Sequence, residues 1–197
     1  MTAQNKQMVI LASRSPRRIA LLKQVGIASI VLPADIDESF YSGELPSQYV
    51  KRLAKDKALA VSANLKKEYS HLVVLAADTT VSIGDEVLGK PEDDADALRM
   101  LKKLSGTKHE VHTAVAAFFD GKIQVVLNTT QVTMVRLSTQ TIQAYIASGE
   151  HRDKAGSYGI QGKAGAWIQH IAGSYSGVMG LPLFETMQLI NQANSKR

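Results

Sequence analysis

Cysteine is absent from the 197 residues, which excludes a disulfide framework and any thiolate metal site. Aromatic residues make up only 6%, too few for an aromatic-studded basic face, and no recognised nucleic-acid motif is present. No apolar run approaches the roughly 20 residues that span a bilayer. We expect no signal peptide ahead of the first strand-like run. These absences lead us to expect a cytoplasmic protein with no membrane and no stable nucleic-acid partner. What is present points to a packed core: 45% of residues are hydrophobic, and residues 1–197 suit one domain with room for two lobes. The net charge of +5 favours anionic partners.

Short, dense apolar runs ("MVILA", "ASIVL", "HLVVLAA") read as strands covered on both faces. Helical patterns at 16–25, about 47–65 and about 91–104 alternate with them. This alternation predicts an α/β fold. Two long β-rich stretches flank Asp120-Gly121, a strong hairpin signal, so the sheet is expected to be mixed. Further helices are predicted after Ser138, ending at Gly149, and from about Pro182. Glycines at 156, 159, 162 and 165 mark a tight loop whose backbone approaches something closely.

Five places depart from what folding alone would choose, and such places are where function is expected. In "SRSPRR", Ser15 is the expected N-cap of a helix with Pro16 in its first turn and Gly26 at its end. Arg17 and Arg18 then crowd an already positive helix end. A strand leading into such a helix makes a phosphate site, with Ser13, Ser15 and the two guanidiniums as donors; solvated arginines are the plainer alternative. "DIDES" places Glu38 in an acidic loop, of interest only if another carboxylate faces it. Asp78 ends an apolar strand run, where an unpaired carboxylate costs several kcal/mol to bury. It must cap, pair or bind metal. With Glu38 it would form a hard oxygen site for Mg²⁺ or Mn²⁺, ions that also take substrate phosphates as ligands.

Lys57 falls on the apolar stripe of its helix (Val50, Leu53, Ala54, Ala58, Val61), whereas Lys51, Arg52 and Lys55 lie off it. Snorkelling is the competing explanation. "GDEVLGKP" mimics a P-loop, but Pro91 stands where a hydroxyl would hold Mg²⁺, and "IGDEV" looks like a hairpin turn. Lys90 remains a candidate phosphate contact, just before a helix expected to start at Pro91. His109 and His112 lie three apart in strand-like sequence, hence on opposite faces, which argues against a shared metal site.

Taken in order, "LASRSPRR", "DIDE", "AKDKA", "AADT", "GKP", "HEVHTAV", "DKAGSYGIQG" and "GLPLFET" resemble the Maf family of nucleoside triphosphate pyrophosphatases over roughly residues 8 to 190. The resemblance implies a mixed α/β fold like that of the inosine triphosphatase-like enzymes, often dimeric. It also implies metal-dependent cleavage of a nucleoside triphosphate to monophosphate and pyrophosphate, a house-cleaning activity against non-canonical nucleotides. One branch of the family acts on dTTP and UTP; the other, acting on 7-methyl-GTP, has Trp for the first Arg, Gln after the Asp, and Glu in the glycine loop. Arg17, Thr79 and Gln161 match the first branch.

On this reading Asp78 binds metal and orients or deprotonates water, and Glu38 completes the metal site. Ser13, Ser15, Arg18, Lys57 and Lys90 meet the triphosphate, while Arg17 lies toward the base. Arg14 departs from the family pattern, where a small residue is usual, and a few polar residues extend the N-terminus. The rival readings are a 7-methyl-GTP pyrophosphatase and a septation or nucleic-acid-binding regulator without catalysis.

Overall fold

The computed structural model describes residues 7–195, so the polar extension of residues 1–6 lies outside the described residues. β1 (Met8–Leu11) runs parallel to β2 (Ala28–Val31), with α1 (Pro16–Gln24) as the crossover. α2 (Pro46–Ala63) then returns the chain to β3 (Val73–Ile83), parallel to β1 on its other side. From there the sheet turns antiparallel. β3 reverses through Gly84 into β4 (Glu86–Leu88), and α3 (Asp94–Leu104) leads to β5 (Lys108–Phe119). β6 (Lys122–Met134) and, after α4 (Thr139–Ala147), β7 (Ile168–Ala172) complete a seven-stranded sheet in the order β2-β1-β3-β5-β6-β7, with β4 also on β3. The short α5 (Tyr175–Val178) and the long α6 (Leu183–Asn194) close the chain. This is the expected mixed α/β architecture. Among the described residues no helix is long and apolar enough to cross a membrane.

The turns explain the register. Asp120 and Gly121 take φ of 48° and 70° between the paired residues Phe119 and Lys122. That is the left-handed two-residue turn whose twist matches a hairpin, and glycine adopts it freely. Helix α2 buries Val50, Leu53, Ala54 and Ala58 completely. Val50, Ala54 and Ala58 pack there against Ile10, Val74 and Ala76 on one face of the sheet. On the opposite face Leu11, Leu75 and Leu181 pack with Leu22 of α1 and Ile190 of α6. Beyond Val81 a third cluster joins Leu88 to Leu101 and Leu104 of α3 and Ile142 of α4. Each fully buried leucine contributes roughly 1.5–3 kcal/mol, so these three clusters hold the frame around the cleft.

Three local expectations are corrected. The strand holding Asp78 does not end there: β3 runs eleven residues, because Thr79, Thr80 and Val81 are β-branched and pair with β5. Helix α3 begins at Asp94 rather than Pro91, because the Asp93 carboxylate accepts the Asp96 N–H at 2.7 Å and caps it. Ser15 precedes Pro16 as expected, yet its hydroxyl makes no cap bond; its own N–H donates to Ser13 Oγ at 3.2 Å.

Candidate active site

One edge of β3 decides where the site lies. β1 pairs with residues 73–75 of that edge and β4 with residues 81–83. Between them the edge carries no strand, and a cleft of about 1130 Å³ opens there. Asp78 stands in the middle of this gap. Strand alternation sends Asp78 toward α2 and Thr79 toward α1, so the two faces of one strand bring together groups from different helices.

On the α2 face, the Lys57 ammonium sits 2.6 Å from Asp78 Oδ1 and 2.7 Å from Glu38 Oε1. The lysine and Asp78 are about one-tenth exposed, whereas the Glu38 side chain is 47% exposed. So Lys57 bridges the two carboxylates expected to share a metal. Their environments pull them apart. Burial raises the Asp78 pKa, against the opposing charges of Lys57 and Arg18. For Glu38, partial burial is outweighed by the bond to Lys57 and the charges of Lys57, Lys90 and Arg18, and its pKa falls.

On the α1 face, Arg18 is held by three acceptors: Gly180 O at 2.8 Å, Ser13 Oγ at 3.1 Å and Thr79 Oγ1 at 3.2 Å. A guanidinium has five N–H groups, so two remain for a ligand. Burial lowers its pKa, the nearby Asp78 opposing. The Thr113 hydroxyl lies 2.8 Å from Gly177 O and 3.0 Å from Thr79 Oγ1. It is directed as a donor toward both, so Thr79 Oγ1 accepts from Thr113 as well as from the Arg18 guanidinium. Thr79 thus orients Arg18.

All ten residues expected from the sequence line this one cleft: Ser13, Ser15, Arg17, Arg18, Glu38, Lys57, Asp78, Thr79, Lys90 and Gln161. Lys90 and Gln161 are exposed at its rim. Burial, and then the charge of Arg17, lowers the pKa of Lys154, and both residues line the cleft. The glycine loop's close approaches are explained by protein. A Cβ at Gly156 would meet the Val81 side chain at 3.0 Å, and one at Gly165 would meet Ile160 O at 2.4 Å. Sequence reasoning missed Tyr49, Glu150 and Lys154, which also line the cleft, and Thr113 and Gly180, which organise Arg18.

The two histidines have separate surroundings. His112 lies 3.1 Å from Ser82 Oγ and 3.0 Å from Thr129 Oγ1, whereas His109 Nε2 meets Tyr158 OH, on the cleft wall, at 2.7 Å. Burial lowers the His109 pKa from 6.5 to about 4. Below pH 6.5 the unfolded chain takes up a proton that the folded state refuses, so stability falls as pH drops from 6.5 toward 4. We expect His109→Gln, which keeps an acceptor for Tyr158, to flatten this slope: between pH 7 and 4.5 it should lose roughly 2–3 kcal/mol less than the unsubstituted protein. Urea unfolding at the two pH values measures this. Parallel losses in both proteins would show that His109 is not held neutral.

No group of three or more His, Cys, Asp and Glu side chains able to hold a metal occurs among the described residues. Two carboxylates side by side nonetheless suit Mg²⁺, which keeps waters and takes substrate phosphates to fill its shell. The cations Arg14, Arg17, Arg18, Lys57, Lys90 and Lys154 outnumber the acids Glu38, Asp78, Glu150 and Asp153 around the cleft. This mixed α/β protein thus sets a cleft with an excess of cations beside a paired-carboxylate centre.

The chain belongs to the Maf family: the model of the Maf-like proteins matches residues 8–193. Among curated relatives, a dTTP/UTP pyrophosphatase of Methylobacillus flagellatus is 53% identical over 94% of this chain and 92% of its own. One of the same name from Pseudoalteromonas atlantica is 50% identical over 94% of this chain and 96% of its own. A nucleoside triphosphate pyrophosphatase of Haemophilus ducreyi is 46% identical over 93% and 94%. Among solved structures, the Staphylococcus aureus Ham1 protein aligns with a TM-score of 0.48 at 16% identity, covering 65% of this chain and 72% of that one.

Proposed function

We propose that this chain is a nucleoside triphosphate pyrophosphatase acting on dTTP and UTP, and that Glu38 and Asp78 would hold its Mg²⁺ or Mn²⁺. The observation that carries the reading is the meeting of the Glu38–Lys57–Asp78 cluster and the Arg18 centre across one strand gap. The names of the curated relatives support the same chemistry.

The side chains divide the work. Arg18, fixed by three acceptors, offers its two remaining N–H groups to phosphate oxygens. Ser13, Ser15 and Lys90 add donors around it, and this fixed positive field stabilises the charge that builds up as the anhydride breaks. Water attacks a phosphorus of the α–β anhydride; one P–O bond forms, the bond from that phosphorus to the bridging oxygen breaks, and the monophosphate and pyrophosphate separate. Asp78 takes the water's proton, a role its burial-raised pKa suits. Lys57 keeps two like-charged carboxylates together, one raised in pKa and the other lowered. A metal ion held by Glu38 and Asp78 would supply Lewis-acid polarisation of the phosphate and a more acidic water.

A panel of nucleoside triphosphates with Mg²⁺ tests the reading. UTP and dTTP are expected to turn over with pyrophosphate as the primary product, and EDTA is expected to abolish turnover. Orthophosphate as the primary product would refute it. A preference for 7-methyl-GTP would move the chain to the other branch. The absence of all turnover, with salt-sensitive binding to DNA or RNA, would favour a regulator.

A further inference from the structure

Glu38 stands on residues 32–45, a stretch with neither helix nor strand, yet its carboxylate reaches Lys57 at 2.7 Å. A surface connection of this length ordinarily samples many conformations. What fixes it comes from α2. Arg52 lies off the helix's apolar stripe, and its side chain is 18% exposed. Its Nε and Nη2 form a bidentate pair with the two Glu44 oxygens, both at 2.7 Å. The same Nη2 donates to Ser39 O at 2.9 Å, and the guanidinium carbon lies 3.8 Å over the Tyr41 ring. One helical turn earlier, Tyr49 OH donates to Glu38 O at 3.0 Å.

A lone surface ion pair contributes little. Here one planar group binds a carboxylate, a main-chain carbonyl and an aromatic face at once, all on the loop that carries Glu38. A lysine has no fork with which to do this. Arg52 touches neither Asp78 nor Lys57 through any of these bonds, and the core residues of α2 are others.

We propose that Arg52, paired with Glu44, is a positioning residue that fastens the loop of residues 38–44 to α2 and so sets the Glu38 carboxylate at the metal side of the cleft. This rests on the reading of Glu38 as a metal-side ligand. The test uses the full chain with Arg52→Gln, Glu44→Gln and the double variant. Two quantities are measured: amide hydrogen exchange across residues 36–44, and the Mg²⁺ concentration giving half-maximal UTP hydrolysis.

Each single variant is expected to exchange these amides at least ~10-fold faster, the core strands keeping their protection. The half-saturating Mg²⁺ concentration should rise ~10-fold, the scale of removing an outer-shell support. At saturating Mg²⁺, kcat should stay within about 3-fold, since no group meeting the transition state is lost. The double variant should match the single ones, as expected of one shared interaction. Unchanged exchange would overturn the fastening. Faster exchange with an unchanged Mg²⁺ requirement would overturn the positioning. A protein that turns over no nucleotide at all would instead refute the function proposed above, and the exchange arm would still decide whether Arg52 holds the loop.

Discussion

Asp78→Asn is expected to lower kcat for UTP at least ~10²-fold, the scale of losing a positioned acid–base group. The substitution keeps the shape of the side chain and removes its charge. Breaking a buried ion pair ordinarily destabilises by several kcal/mol, because the partner charge is left alone. Here Lys57 keeps Glu38 at 2.7 Å, so the ammonium is not orphaned and the fold should survive. Burial raises the Asp78 pKa, so activity should fall with acid above the ordinary aspartate range, as the base becomes protonated. That acid limb should vanish from the variant's residual activity. A purified, folded variant with near-normal kcat would make Asp78 only a structural partner of Lys57.

The second large effect concerns the base. Uracil and thymine present a carbonyl acceptor beside the N3–H donor, and a glutamine amide answers with one donor and one acceptor. Gln161 is exposed on the wall of the cleft that Arg17 also lines. Gln161→Glu should therefore cut kcat/KM for UTP at least ~10-fold, since an acceptor left mismatched once the bound base covers it costs roughly 1–3 kcal/mol. Guanine's two adjacent donors suit a carboxylate, and the cationic 7-methylguanine ring favours stacking on tryptophan over an arginine neighbour. Arg17→Trp, Thr79→Gln and Gln161→Glu together should shift preference from UTP toward 7-methyl-GTP. Thr79 differs from the other two in its surroundings: it is bonded to Arg18 and Thr113, so its replacement should act mainly by moving Arg18. Measuring kcat/KM for both nucleotides on each variant separates these contributions. An unchanged ratio in a folded, active triple variant would show that these residues do not face the base.

How much of this was legible in the sequence depends on distance along the chain. The β1–α1 order, the Asp120-Gly121 hairpin and the helix after Ser138 follow from local patterns and are found, although the Ser15 hydroxyl makes no cap bond. Lys57 was legible because a charge on an apolar stripe is a visible conflict. What it meets was not, since Asp78 lies 21 positions away and Glu38 comes from an irregular loop. Gly180 is 162 residues from the guanidinium it accepts, and no window of local sequence contains that pairing. Arg52 was passed over because it sits off the buried stripe of α2, where a solvated charge is ordinary. The glycine spacing announced close contact without identifying what is approached: Val81 and Ile160 of the chain itself occupy the space.

The interrupted edge of β3 has one more effect. Leu75 O accepts from Ala12 N–H, so the odd-numbered residues of the strand turn their main-chain groups away from β5. At positions 81 and 83 those groups go to β4. Thr79 falls between, on the cleft wall, and turns toward the cavity a peptide donor that only proline at position 79 would remove and a peptide acceptor that no substitution there removes. They carry no charge to titrate. Substitution can retune which side chain greets the ligand there, while this part of the surface is inherited from the shape of the sheet.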